Sequence, residues 1–205
     1  MRVFIRFVLL LSGLVLPACS PASGGPPAQS PPPVVESPPA TRRSVITDLE
    51  PAACRKEADK TDPNETPYLV CPGVGGYSLI VRRVESGRRS IDLVDPRQHV
   101  FPLNYQEFVT RQMSALSNHA EWRVVDRGGR PTPIAVVVGV EAHEDTRAPE
   151  KVTSTYLAVA KITATTACVT DRVIAGSRSE AEMQAIVDAS AQKACLEAQP
   201  PLAGR

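Results

Sequence analysis

Charge of a single sign is missing from this chain. Lys and Arg number 23 against 22 Asp and Glu, so no net field steers the protein toward nucleic acid or an acidic partner. Long apolar runs are also missing. The stretch from residue 7 to 16 has ten residues, with only Ser12 and Gly13 interrupting it, whereas a spanning helix needs about 20. Histidine is scarce. His99, His119 and His143 do not fall three or four residues apart, as paired metal ligands on one element would. Glu141-Ala142-His143-Glu144-Asp145 reads as a solvated loop between strands, with weak cation holding as the sharper alternative. There is no Gly-x-Ser-x-Gly elbow and no His-Glu-x-x-His. No cysteine has the surroundings that would make it a thiolate nucleophile. No residue pattern marks paired carboxylates for glycan hydrolysis, although such pairs are assembled in space rather than in sequence. The residues therefore point to no catalytic group, metal or cofactor.

Arg2 and Arg6 precede the short apolar stretch. That order, charge then about ten apolar residues, predicts a signal peptide over residues 1–18. It ends in Leu16-Pro17-Ala18-Cys19, which resembles the bacterial lipobox: Leu three positions before a Cys, and a small residue just before it. Pro17 departs from the usual small or β-branched residue there. The resemblance implies that Cys19 is the lipidated first residue of the mature chain and that the bilayer is a partner through it. One acyl chain anchors only marginally, while several together hold firmly. Ser20 is not the Asp that tends to retain such lipoproteins in the inner membrane, so the expected address is the periplasm-facing or surface side of the cell envelope, with the outer membrane preferred. An ordinary secretory signal cut near Ala18 or Ala22 is the alternative.

Proline is abundant, with 20 residues, and eight of them lie in the 21 residues from 20 to 40. Small polar residues and proline cannot bury a core and favour extended polyproline II. Residues 19–43 therefore read as a lipidated Cys and disordered tether, whose 21 residues from 20 to 40 reach roughly 65 Å at about 3.1 Å per residue. The folded domain is expected over 44–198, with a short tail at 199–205. Setting Cys19 aside leaves Cys54, Cys71, Cys168 and Cys195, an even set in an oxidising compartment. Of the three possible pairings, Cys54–Cys71 and Cys168–Cys195 each bracket a compact local unit. Each closure would contribute roughly 3–3.6 kcal/mol.

Strand-forming segments recur at 44–48, 68–71, 77–84, 89–94, 121–126, 133–140, 152–163 and 168–175. Glu85-Ser86-Gly87 and Gly128-Gly129 read as hairpin turns. Asn104 with Glu107 predicts a capping box, opening a helix in which Tyr105, Phe108, Val109, Met113 and Leu116 repeat at helical spacing. Ser179 with Glu182 predicts a second box, opening a helix that runs to about Ala198 before Pro200-Pro201. The expected fold is α+β: a mainly antiparallel sheet, a short central helix, a C-terminal helix packed on the sheet, and two disulfides.

Arg82, Arg83, Arg88 and Arg89 cluster at one hairpin. Arg123, Arg127 and Arg130 would join them if the 121–126 strand paired there. Guanidinium groups suit bidentate contact with phosphate or carboxylate, which envelope polymers supply. The plainer reading is a solvated hairpin tip with Glu85 and Asp92 interleaved. Cys71-Pro72-Gly73-Val74-Gly75-Gly76-Tyr77 is glycine-rich but precedes a strand, whereas a phosphate cradle needs a following helix. It reads as a tight bend beside a disulfide. Trp122, the only tryptophan, reads as a core anchor.

Cys-Pro-Gly-x-Gly-Gly-Tyr before a strand, then Glu-Trp-Arg, then Gly-Arg-Pro before an apolar strand, then a strand-opening Cys and a helix closing on another Cys together resemble a group of small exported proteobacterial proteins of unknown function. The resemblance covers residues 54–196 and supports the disulfide pairing; it implies no activity. The expectation is a non-catalytic binding or structural module of the cell envelope that contacts an envelope polymer or periplasmic protein and not nucleic acid. Two alternatives stand beside it: an inhibitor of an envelope-attacking hydrolase, and a hydrolase whose site is not visible in sequence.

Overall fold

The computed structural model describes residues 41–58, 66–84 and 88–198. The expected signal peptide, Cys19, the tether as far as residue 40, the 85–87 turn and the 199–205 tail lie outside them, while Arg42 and Arg43, expected at the end of the tether, open the first strand. The elements run β1 (Arg42–Asp48), a 3-10 turn (Pro51–Ala53), β2 (Arg55–Ala58), β3 (Pro67–Pro72), β4 (Ser78–Arg83), β5 (Arg89–Val94), β6 (Val100–Pro102), α1 (Tyr105–Phe108), β7 (Met113–Arg127), β8 (Arg130–His143), β9 (Ser154–Ile162), β10 (Ala167–Ile174), α2 (Glu180–Ala189) and a closing 3-10 turn (Ser190–Gln192). The fold is mostly antiparallel sheet with a C-terminal helix, as the residue pattern predicts, and it carries the Cys54–Cys71 and Cys168–Cys195 disulfides. No helix among the described residues is long and apolar enough to cross a membrane.

The strands form two five-stranded sheets, in the orders β1-β7-β8-β9-β10 and β2-β3-β4-β5-β6. Every neighbouring pair is antiparallel. Alternation along each strand sends successive side chains to opposite faces. Trp122, Val124, Val136, Val138, Val140, Ala158 and Ala160 of the first sheet share one buried core with Leu79, Val81, Ile91 and Leu93 of the second. Ala135, Val137 and Val159 point the other way, where Val187, Met183 and Ile186 of α2 cover them. The result is three layers: sheet, sheet, helix.

Two expectations about helices give way. The segment opened by Asn104 makes only four helical residues, and the expected capping box is absent: Asn104 sits at φ 43° and its side chain caps nothing. Met113 and Leu116 belong instead to β7, whose fifteen residues pair with β8 from Met113↔His143 to Arg127↔Arg130. A lone turn of helix closes few hydrogen bonds for the residues it fixes, so long cross-strand pairing wins. The alternation of β7 was hidden because its register shifts between Leu116 and Ala120 and again between Arg123 and Val124. His143 likewise closes β8 rather than lying in a loop. The second correction concerns α2, which stops at Ala189 rather than Ala198. Cys195 must reach Cys168 on the edge strand, and Leu196 N–H donates to the Val169 carbonyl at 2.8 Å. An extended segment makes that bond; a continuing helix could not. The predicted box at the start of α2 is present, with Ser179 and Glu182 each accepting from the other's backbone N–H.

Candidate functional site

β4 and β5 pair so that Arg82 lies opposite Ser90 and Arg83 opposite Arg89. The four hairpin arginines separate into two kinds. Arg82 and Arg88 are engaged within the fold. The Arg82 Nε donates to the Asp92 carboxylate, and its guanidinium sits 4.7 Å from the centre of the Tyr68 ring. Arg88 Nη1 donates to the Arg111 carbonyl at 2.8 Å. The Tyr68 hydroxyl in turn donates to Glu57 Oε2 at 3.0 Å, and Arg55 and Tyr68 together hold the Glu57 carboxyl below its ordinary range. This row of alternating partners ties β2, β3, β4 and β5 together on one face.

Arg83 and Arg89 are different. Both are exposed, and neither has an acidic partner among the described residues. They continue the row of Leu69, Val81 and Ile91, because residues two apart share a face. At the end of that row they flank a recess of about 230 Å³ lined by Thr66, Pro67, Leu69, Val81, Arg82, Arg83 and Arg89. Like charges directly opposed across two strands are destabilising. A hairpin that keeps such a pair over a partly apolar recess has the chemistry to hold an anionic group between two guanidinium forks. β3, expected as a strand over 68–71, supplies Pro67 and Leu69 to the lining; its place beside β4 is not legible in the sequence, because the run Tyr68–Val70 carries no sign of which strand it adjoins.

The other basic residues do not join this site. Arg123 lies in the other sheet, paired with β1 and β8, and its guanidinium clasps Asp188 of α2 at 2.7 and 3.0 Å. That hydrogen bond holds the Asp188 carboxyl below its ordinary range. Arg127 and Arg130 pair with each other across the tip of the β7–β8 hairpin. The glycine-rich loop is a bend: Gly73 N–H donates to the Tyr77 carbonyl, Tyr77 N–H donates to the Val74 carbonyl, and β4 follows. Trp122 is fully buried and its Nε1 donates to Thr47 Oγ1 at 2.8 Å. Glu144 accepts from Ser154 and Tyr156 hydroxyls, and no group of three metal-binding side chains occurs among the described residues.

Comparison with known proteins finds no matching family model, no matching curated protein and no matching solved structure.

Proposed function

We propose that the chain is an exported cell-envelope lipoprotein, anchored through Cys19, whose domain is a non-catalytic binding or structural module for an anionic envelope polymer or protein. The observation that carries the reading is the directly opposed, exposed Arg83–Arg89 pair beside its recess. Arg82 and Arg88 stiffen the hairpin, and Arg83 and Arg89 meet the ligand's phosphate or carboxylate. The proline-rich segment spaces the domain from the lipid, and the outer membrane is the preferred site.

Binding to polyphosphate and to polyglutamate, measured by fluorescence anisotropy at increasing salt, tests the surface. The full chain should bind at least one of the two in a salt-dependent way. Arg83→Glu with Arg89→Glu should weaken it about tenfold or more without lowering the melting temperature. Equal binding by the variant would remove the hairpin from the function. The anchor has its own test: Cys19→Ala should shift the chain from the membrane to the soluble fraction, and unchanged processing and membrane association would refute lipidation.

A further inference from the structure

β1 is an edge strand of its sheet: it pairs with β7 on one side and with no described strand on the other. Which of its backbone groups are free follows from two hydrogen bonds. Asp126 N–H donates to the Thr41 carbonyl, and Leu49 N–H donates to the Asn118 carbonyl. In an antiparallel pair, bonded and non-bonded positions alternate. The register between β1 and β7 is unbroken, so Thr41, Arg43, Val45, Thr47 and Leu49 bond to β7. Arg42, Ser44, Ile46 and Asp48 therefore turn their N–H and C=O groups away from β7, and of these the Asp48 carbonyl lies against Cys54 Sγ at 3.9 Å. These four residues also share one side-chain face, and Ile46 on it is 64 % exposed. An exposed edge of this length is a template for another strand.

We propose that β1 pairs with β1 of a second copy of this chain across a two-fold axis at Val45, joining two five-stranded sheets into one of ten. The strand's own sequence favours this occupant. Antiparallel pairing of β1 with itself over its full seven residues permits a single register, in which the two paired numbers sum to 90. In that register Arg42 lies opposite Asp48 of the second copy at both ends, and Ser44 lies opposite Ile46. The outward-facing residues meet one another, giving about six new backbone hydrogen bonds without the two Asp48 carbonyls. The charges are complementary at both ends, and opposite charges in directly opposed positions are stabilising. The two Ile46 side chains become diagonal neighbours at the centre. A shift of two residues in either direction loses the match: one sets Arg42 against Ile46, the other sets Asp48 against Ser44. The Asp48 carboxylate has no cationic partner among the described residues. Arg42 touches Asp188 only at 3.6 Å, and its five donors allow it to serve both carboxylates.

The test uses the full chain expressed in its own envelope. Val45 meets Val45 of the second copy in a non-hydrogen-bonded pair, where Cα atoms lie about 4.5 Å apart, within disulfide reach. Val45→Cys should give a cross-linked dimer on a non-reducing gel, against a background set by the chain without the added cysteine. Adding Asp48→Arg, or adding Arg42→Glu, should lower the cross-linked fraction about tenfold, because like charges then oppose at both ends. Combining the two reversals should restore it, a result that no folding defect produces. In detergent, sedimentation should show twice the chain mass for the native protein. It should show a single chain mass for Ser44→Pro, which removes one outward N–H while leaving the β1–β7 bonds intact. A single chain mass for the native protein with no Val45→Cys dimer would overturn the proposal and leave the edge to a strand of a different protein. A dimer indifferent to Asp48→Arg and Ser44→Pro would overturn it too, by placing the contact elsewhere.

Discussion

Gly73 has no side chain because Trp122 occupies the space. A Cβ at residue 73 would stand 2.7 Å from the Trp122 ring and 2.7 Å from the Tyr77 carbonyl. Neither can yield: the indole is fully buried and the carbonyl accepts the hydrogen bond that closes the loop. Gly73→Ala is therefore expected to lower stability by about 1–3 kcal/mol, the usual cost of overpacking, measured by urea denaturation. Trp122→Ala should cost more, about 3–5 kcal/mol, as loss of a large buried aromatic does. If Gly73→Ala matched the native protein, the tight approach of loop and indole would be wrong. The core role of Trp122 was legible from its place on a β-rich segment. The dependence of Gly73 on it was not, because 49 residues separate the two along the chain.

At the scale of elements, α2 is held to its sheet by a few apolar contacts and by Asp188, which meets Arg123 at 2.7 Å and Arg42 at 3.6 Å. Arg123 is 11 % exposed at its side chain and Asp188 24 %, so water screens the pair only in part. Asp188→Asn keeps the shape and removes the charge, and should cost about 1–2 kcal/mol at neutral pH. The hydrogen bond from Arg123 holds the folded Asp188 carboxyl below its ordinary range, so just below about pH 4 the unfolded chain binds more protons than the folded one. The stabilisation is thus present above that range and lost as pH falls through the folded value. The gap between native protein and Asp188→Asn should close as denaturation midpoints are taken from pH 7 toward pH 2. A gap that stayed constant would mean that the charge contributes nothing. Both capping-box predictions used the same spacing, yet only the Ser179 box formed. Ten residues of α2 cover an apolar patch, whereas the four residues of α1 serve a connection into β7.

For the whole molecule, the disulfides close two regions that sheet pairing secures weakly. β2 has four residues, three of them charged, and the Cys54–Cys71 bond ties its start to β3. The chain after α2 is held to β10 by Cys168–Cys195 and the Leu196–Val169 hydrogen bond. Replacing Cys168 and Cys195 by Ser should cost about 3 kcal/mol and expose the amide of Leu196 to hydrogen exchange. Unchanged protection at Leu196 would show that backbone pairing alone holds this segment.

Local rules were enough for what neighbours in the chain decide. Cysteine parity and spacing indicated the two closures, alternation marked most strands, and Ser179 with Glu182 opened a helix where expected. These features depend on atoms within a few residues of one another or on loops short enough to close early. The sorting of ten strands into two sheets, the pairing of Arg42–Asp48 with residues about 75 positions further on, and the division of the hairpin arginines into tied and free pairs were decided only by the tertiary structure. Burial in two facing layers is a property of the assembled surfaces: a strand's pattern says that one face must be covered, not which strand will cover it.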